Sequence, residues 1–268
     1  MPHFLCTTCG TQFSESQAPP LACPICQDER QYVPPEGQRW TTLEELRVSH
    51  TAEIREEELG LTGIGGEPSF AIGQRALLVQ APGGNILWDC ISLLDDEIAG
   101  RVEELGGIAA ISISHPHYYA SMVEWSEAFD APIYLHAADR EWVLRPSDRI
   151  VFWAGERREL GPGLTLVRCG GHYEGGTVLH WAAGAEGRGA LLSGDIVQVI
   201  PDRAYVSFMY SYPNLIPLNE QAIRRIVAAL APFDFDRIHG AWWGRVVPTD
   251  GKGAVTRSAE RYLKAIRG

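Results

Sequence analysis

Two sets of residues in this chain have the types and spacing to hold metal. The first is Cys6, Cys9, Cys23 and Cys26, two CxxC knuckles thirteen residues apart. Four thiolates at that spacing can close tetrahedrally on one ion, and zinc is the usual occupant of such a closed site. The second begins at His115-Pro116-His117 in the stretch "ISISHPHYYA" (111–120). An HxH pair alone is weak evidence, since a histidine at a strand end is more often structural than a ligand. Three more candidate ligands follow at similar positions: His172 in "CGGHYEGGT", Asp195 in "LLSGDIV" and His239 in "RIHGAWWG". Each sits after an apolar run beside glycine, which lets the backbone turn sharply and leaves room for a ligand sphere.

Strands ending just before these residues are needed to position them. "IAAISIS" is a buried strand by composition, so its end carries both imidazoles of the HxH pair to a sheet edge, where open α/β sheets form clefts. Upstream, Thr41-Thr42-Leu43-Glu44-Glu45 offers a capping box for a short helix. "RALLVQAP" and "GGNILWDC" make a hairpin, and residues 95–105 show helical spacing stopped by Gly106-Gly107. Residues 119–129 and 138–144 read as helices around the strand "APIYLH". The second half repeats the mixture. The strands "LTLVRCGG", "GTVLHWAA" and "GALLSGDIV", the last two joined by a glycine-rich loop at 184–189, precede an amphipathic helix over 219–230. The strand "FDRIHG" and a helix over 254–266 close the chain. Two roughly equivalent halves, each a sheet covered by helices, is the simplest architecture consistent with this order.

Residues 1–35 differ from the rest, with two proline pairs and few core-forming aliphatics, and need a metal staple to fold. They read as a zinc ribbon, and residues 36–268 as the main domain. Against 34 acidic residues the chain has 23 Lys and Arg, a net charge of -11. That balance argues against partners such as nucleic acid or an anionic membrane. No apolar run approaches the roughly 18–20 residues that span a bilayer, and no signal peptide is visible, so a cytoplasmic location is expected. There disulfides are disfavoured, which leaves Cys90 and Cys169 as buried thiols and the other four as metal ligands.

In order and spacing, residues 70–245 resemble the metallo-β-lactamase superfamily. Its members carry an HxHxDH loop, a later histidine in a GH segment, an aspartate in a GD motif and a last histidine near the C-terminus. The resemblance implies an α+β fold, a four-layer αββα sandwich, here with a small N-terminal zinc ribbon. It matches His115, His117 and His172 to the ligands of the first metal site, Asp195 to the bridging carboxylate and His239 to a second-site ligand. Asp89 in "NILWDC" matches the aspartate that supports the site. Where the family has Asp and His after HxH, this chain has Tyr119 and Ala120. Alanine cannot coordinate, and a phenol of pKa near 10 is a poor zinc ligand. One catalytic metal is therefore expected in place of two: zinc, with iron or manganese as alternatives.

The activity implied is hydrolysis of an ester, thioester, lactone or amide by metal-activated water, with a small molecule as substrate. Asp195 would complete the coordination or accept the water's proton. His239 would bond the developing oxyanion or donate to the leaving group, and Tyr118 or Tyr119 would add a phenolic donor. Two alternatives stand beside this reading. "CTTCG" and "CPIC" also resemble rubredoxin knuckles, which hold iron for electron transfer; and loss of the second site suggests a binding protein without catalysis. The aromatic stretch 205–218 reads as a packed crossover or a dimer contact, which leaves a homo-oligomer open, or else as a wall over the metal with Tyr210, Tyr212 and Asn214. Trp242 and Trp243 belong to the site border or to the core. His50, His136 and His180 read as surface or structural, and the acidic run 53–58 as a solvated face.

Overall fold

The computed structural model describes residues 1–267. Two compact units make up the chain, one from residues 1–135 with 140–152, the other from residues 136–139 with the remainder from Trp153 onward.

The first unit holds the sheet Thr51–Glu58, Leu61–Glu67, Ala76–Val79, Ile86–Trp88, Ala110–Ser112, Ile133–His136, Ile150–Trp153, in that spatial order. The first four strands run antiparallel. Ala110–Ser112 is parallel to both Ile86–Trp88 and Ile133–His136, with the crossovers made by helices Asp96–Glu104 and Met122–Phe129. The first of these helices starts where Asp95 Oδ1 accepts from Ile98 N at 2.8 Å, and it buries Ile98 and Val102. The expected capping box is present: Thr42 caps helix Leu43–Ser49 and Glu45 reaches back to Thr42 N.

Residues 1–35 pack within this unit. Strand Phe4–Cys6 pairs with Trp40–Thr42, placing Cys6 opposite Trp40. The four cysteines and Ile25 form a small core lined by Phe13, Trp40, Ile72, Trp142 and Leu144.

The second unit holds the sheet Arg157–Gly161, Leu164–Arg168, Thr177–Trp181, Ala190–Gly194, Arg237–Gly240, Val246–Val247. Ala190–Gly194 and Arg237–Gly240 are parallel, joined through helix Glu220–Leu230, whose N-cap Asn219 Oδ1 accepts from Ala222 N at 2.9 Å. Ile223, Ile226 and Leu230 on that helix, with Ala254, Val255 and Ala259 on helix Gly251–Arg267, pack against Val167, Val178, Leu191 and Ile238 of the sheet.

Three expectations change. The acidic run belongs to strand Thr51–Glu58, an edge strand where charge discourages pairing with other chains. Its Glu57 is not solvated but ion-paired at 3.0 Å with Arg75, whose side chain is 0% exposed. The helix expected from 119 begins only at Met122, because a 3-10 turn over Pro116–Tyr118 and a left-handed Ala120 (φ 46°) come first. The helix expected over 138–144 is a 3-10 segment, Ala137–Trp142, broken at Asp139. Among the described residues no helix is long and apolar enough to cross a membrane.

Candidate metal centres

Two sets of residues could hold a metal ion: Cys6, Cys9, Cys23 and Cys26, and the histidines His115, His117 and His172. All seven are buried. In the cysteine set every Sγ lies within 4.8 Å of the others, with Cys6–Cys26 at 3.6 Å and Cys9–Cys23 at 3.7 Å. A tetrahedron with Zn–S bonds of about 2.3 Å has edges of about 3.8 Å, so the four sulfurs fit one such ion and are compatible with a zinc ribbon. Short Pro24–Gln27, opened by Pro24 at the first helical position, turns the second knuckle.

In the first unit His115 and His117 follow strand Ala110–Ser112, on the loop that opens into the 3-10 turn. Their ring centroids are 5.1 Å apart, and the Tyr118 ring sits 4.4 Å from His115. The loop is held from below by Asp89, itself in a left-handed conformation (φ 58°): its Oδ1 accepts from Ser114 N at 2.7 Å, and the Ser114 hydroxyl bonds it as well. Ser114 Oγ lies 2.9 Å from His115 Nδ1. When that hydroxyl donates to an ionised Asp89, its oxygen is left to accept from Nδ1–H, which sets the imidazole lone pair on Nε2. Burial raises the Asp89 carboxyl to about 7, against the lowering by Ser114 and by Arg75. Tyr119 lines a small gap with Thr11, Gln12, Met122, Leu144 and Arg145.

The second unit carries His172, Asp195 and His239. His172 lies in the loop between Leu164–Arg168 and Thr177–Trp181, which turns through a left-handed Gly171 (φ 86°). Asp139 pins that loop by accepting from Gly175 N at 2.7 Å; a Cβ at 175 would sit 2.7 Å from the carboxyl carbon, so only glycine allows the approach. His172 Nδ1 is 2.7 Å from the Tyr210 carbonyl, which can only accept, so here too the lone pair is on Nε2. Asp195 follows Ala190–Gly194, and His239 lies on the adjacent parallel strand opposite Leu192. Asp195 is 5% exposed and His239 1%. Tyr212 Oη donates to the Asp195 carbonyl at 2.8 Å, and burial, then the Asp195 charge, raises its phenol. The stretch 205–218 therefore buttresses both ligand loops through Tyr210 and Tyr212. A cleft of about 430 Å³ opens beside Gly171, lined also by Glu174, Tyr210, Asn219 and Arg225.

No family model matches the chain. The uncharacterized protein YmaE of Bacillus subtilis (strain 168) is 52% identical over 268 residues, which is 99% of this chain and 97% of that protein. The chain belongs to the YmaE family. Among solved structures, VMB-1 at pH 5.5 is similar with a TM-score of 0.60 at 14% identity, over 80% of this chain and 98% of that one. The DIM-1 metallo-β-lactamase gives the same four values. A metallo-β-lactamase of Cronobacter sakazakii with a HARLDQ motif gives 0.52 at 18% identity, over 80% and 92%. This member of the YmaE family thus has the metallo-β-lactamase fold.

The histidines without motifs have hydrogen-bond partners of their own. His136 Nε2 bonds the Gly155 carbonyl at 3.1 Å and His180 Nε2 the Asp234 carbonyl at 2.8 Å. His50 Nδ1 lies 2.9 Å from Ser49 Oγ. Cys90 and Cys169 are fully buried, which raises both thiols, Cys169 to about 12. Sequence reasoning missed Ser114, Arg75 and Asp139. Ser114 was within reach, as a hydroxyl next to a ligand; Asp139 meets the His172 loop from 36 residues away in the chain, and no local pattern marks it.

Proposed function

We propose that the chain is a metal-dependent hydrolase of small-molecule esters, thioesters, lactones or amides, with one ion held by His115, His117 and His172. The observation that carries this reading is the hydrogen bonding of Nδ1 in both His115 and His172, to Ser114 Oγ and to the Tyr210 carbonyl, which leaves Nε2 as the nitrogen free to ligate a metal. The donor set suits zinc, and also iron or manganese. A divalent ion held by these residues would supply an acidified water and polarise a scissile carbonyl. Asp195 accepts the proton of the attacking water, and His239 donates to the oxygen on which charge develops. Tyr118 or Tyr119 supplies a further phenolic donor. One ion is favoured over two because neither Tyr119 nor Ala120 replaces the carboxylate and imidazole of the family motif. The acidic charge balance favours a neutral or cationic small molecule over nucleic acid.

Elemental analysis of the full-length protein tests this beside a panel of chromogenic esters, thioesters and lactones. Two ions per chain are expected, one lost in His115→Ala and the other in Cys9→Ser, with hydrolysis abolished by His115→Ala. A wild-type chain holding only the cysteine-bound ion, or hydrolysis unchanged in His115→Ala, overturns the reading.

A further inference from the structure

We propose that the cysteine segment braces the histidine loop, with Gln12, Ser92 and Ser121 as positioning residues. Three residues after His117 the chain enters a left-handed turn at Ala120 (φ 46°), a conformation unfavourable for alanine that persists only where its surroundings over-determine it. The surroundings come from the first cysteine knuckle. Gln12, three residues after Cys9, donates its backbone N–H to the Ala120 carbonyl at 3.0 Å. The bridge between Leu5 and Gln12 is made by Cys6 N to Thr11 O and Phe13 N to Phe4 O, so the Gln12 amide points out of that ladder and toward the turn. The Gln12 side chain donates to Glu124 Oε1 at 3.1 Å and accepts from Arg145, which also pairs with Glu124 at 2.6 Å.

A second route closes the ring. Ser92 Oγ donates to the Gly10 carbonyl at 2.8 Å, so close that a Cβ on Gly10 would lie 2.6 Å from it. Ser121, fully buried at the N-cap of helix Met122–Phe129, makes no capping bond. Its hydroxyl is shared between the carbonyls of Ile91 at 3.1 Å and Ser92 at 2.9 Å. Gly10, Ser92, Ser121, Ala120 and Gln12 thus form a closed circuit of buried hydrogen bonds, with a cysteine knuckle at one end and the HxH loop at the other. Order in residues 115–120 then depends on a closed cysteine segment, whatever reaction the histidines serve.

The test is hydrogen exchange of the full-length metal-loaded protein, comparing peptides spanning 113–122 with a control peptide over Ala190–Gly194. Gln12→Pro removes the backbone donor to Ala120 and no ladder bond, together with the side-chain bonds to Glu124 and Arg145, so Ser92→Ala, which touches neither, stands beside it. The proline variant is expected to speed exchange in 113–122 tenfold or more, with the control peptide unchanged. Ser92→Ala, which removes only the bond to Gly10, is expected to do so several-fold, and decides the matter if Gln12→Pro unfolds the chain. Wild-type protection of 113–122 in a folded Gln12→Pro protein, or in Ser92→Ala where the proline variant unfolds, overturns the brace. Because the readout is exchange, the brace can stand where hydrolysis is absent, and can fail where hydrolysis is present.

Discussion

Replacing Asp89 by Asn should remove a pH dependence of stability that runs opposite to that of an ordinary paired carboxylate. Asp89 is 2% exposed, and the nearby Arg75 guanidinium is already ion-paired with Glu57 at 3.0 Å, so an ionised Asp89 would add a buried charge with little net compensation. Burial accordingly holds its carboxyl at about 7 in the native state, against about 3.9 in an unfolded chain. Below pH 4 both states are protonated and the group costs nothing. Between pH 4 and 7 the unfolded chain releases a proton that the native one keeps, so stability falls as pH rises, and above 7 the full cost is present. The gap of roughly 3 pH units corresponds to about 4 kcal/mol. Urea unfolding of wild type and Asp89→Asn across pH 4.5 to 8 measures it, and the difference between the two cancels carboxylates common to both. The wild type should lose several kcal/mol relative to the variant over that range. A flat difference, or a wild type that gains with pH, would mean that Asp89 is ionised and paired with Arg75, and would refute the argument from burial.

Other substitutions probe the ligand loops. Gly175→Ala drives a Cβ against the Asp139 carboxylate and should cost about 1–3 kcal/mol in chemical denaturation; a cost near zero would mean that the His172 loop is not pinned there. Tyr212→Phe takes the donor from the Asp195 carbonyl and should lower stability by about 1 kcal/mol, read as a fall in Tm. His136 and His180 are both held below the usual imidazole range by burial. The unfolded chain therefore binds their protons first, so stability should drop as pH falls through about 6.5, and a His180→Gln variant should show less of that loss.

How much was legible beforehand varies with the range of the interaction. The four cysteines and the capping box in Thr41-Thr42-Leu43-Glu44-Glu45 work within a few residues and could be read from spacing. The α+β fold was legible through the family resemblance that the order of ligand motifs along the chain carries. Strand Thr51–Glu58 was not, because its charged alternation looks like solvated surface until the partner Leu61–Glu67 is known.

By itself the sequence determined the donor inventory, the places where strands stop, and the departure at Tyr119 and Ala120 that argues for one ion. Only the tertiary structure decided how those donors are held. The Nδ1 bond of His172, the pinning of Gly175 by Asp139 and the Gln12 to Ala120 bond join residues 36 to 108 positions apart in the sequence. Tautomer, loop order and the protonation of Asp89 follow from burial and from partners brought close by folding, and local spacing carries no record of either.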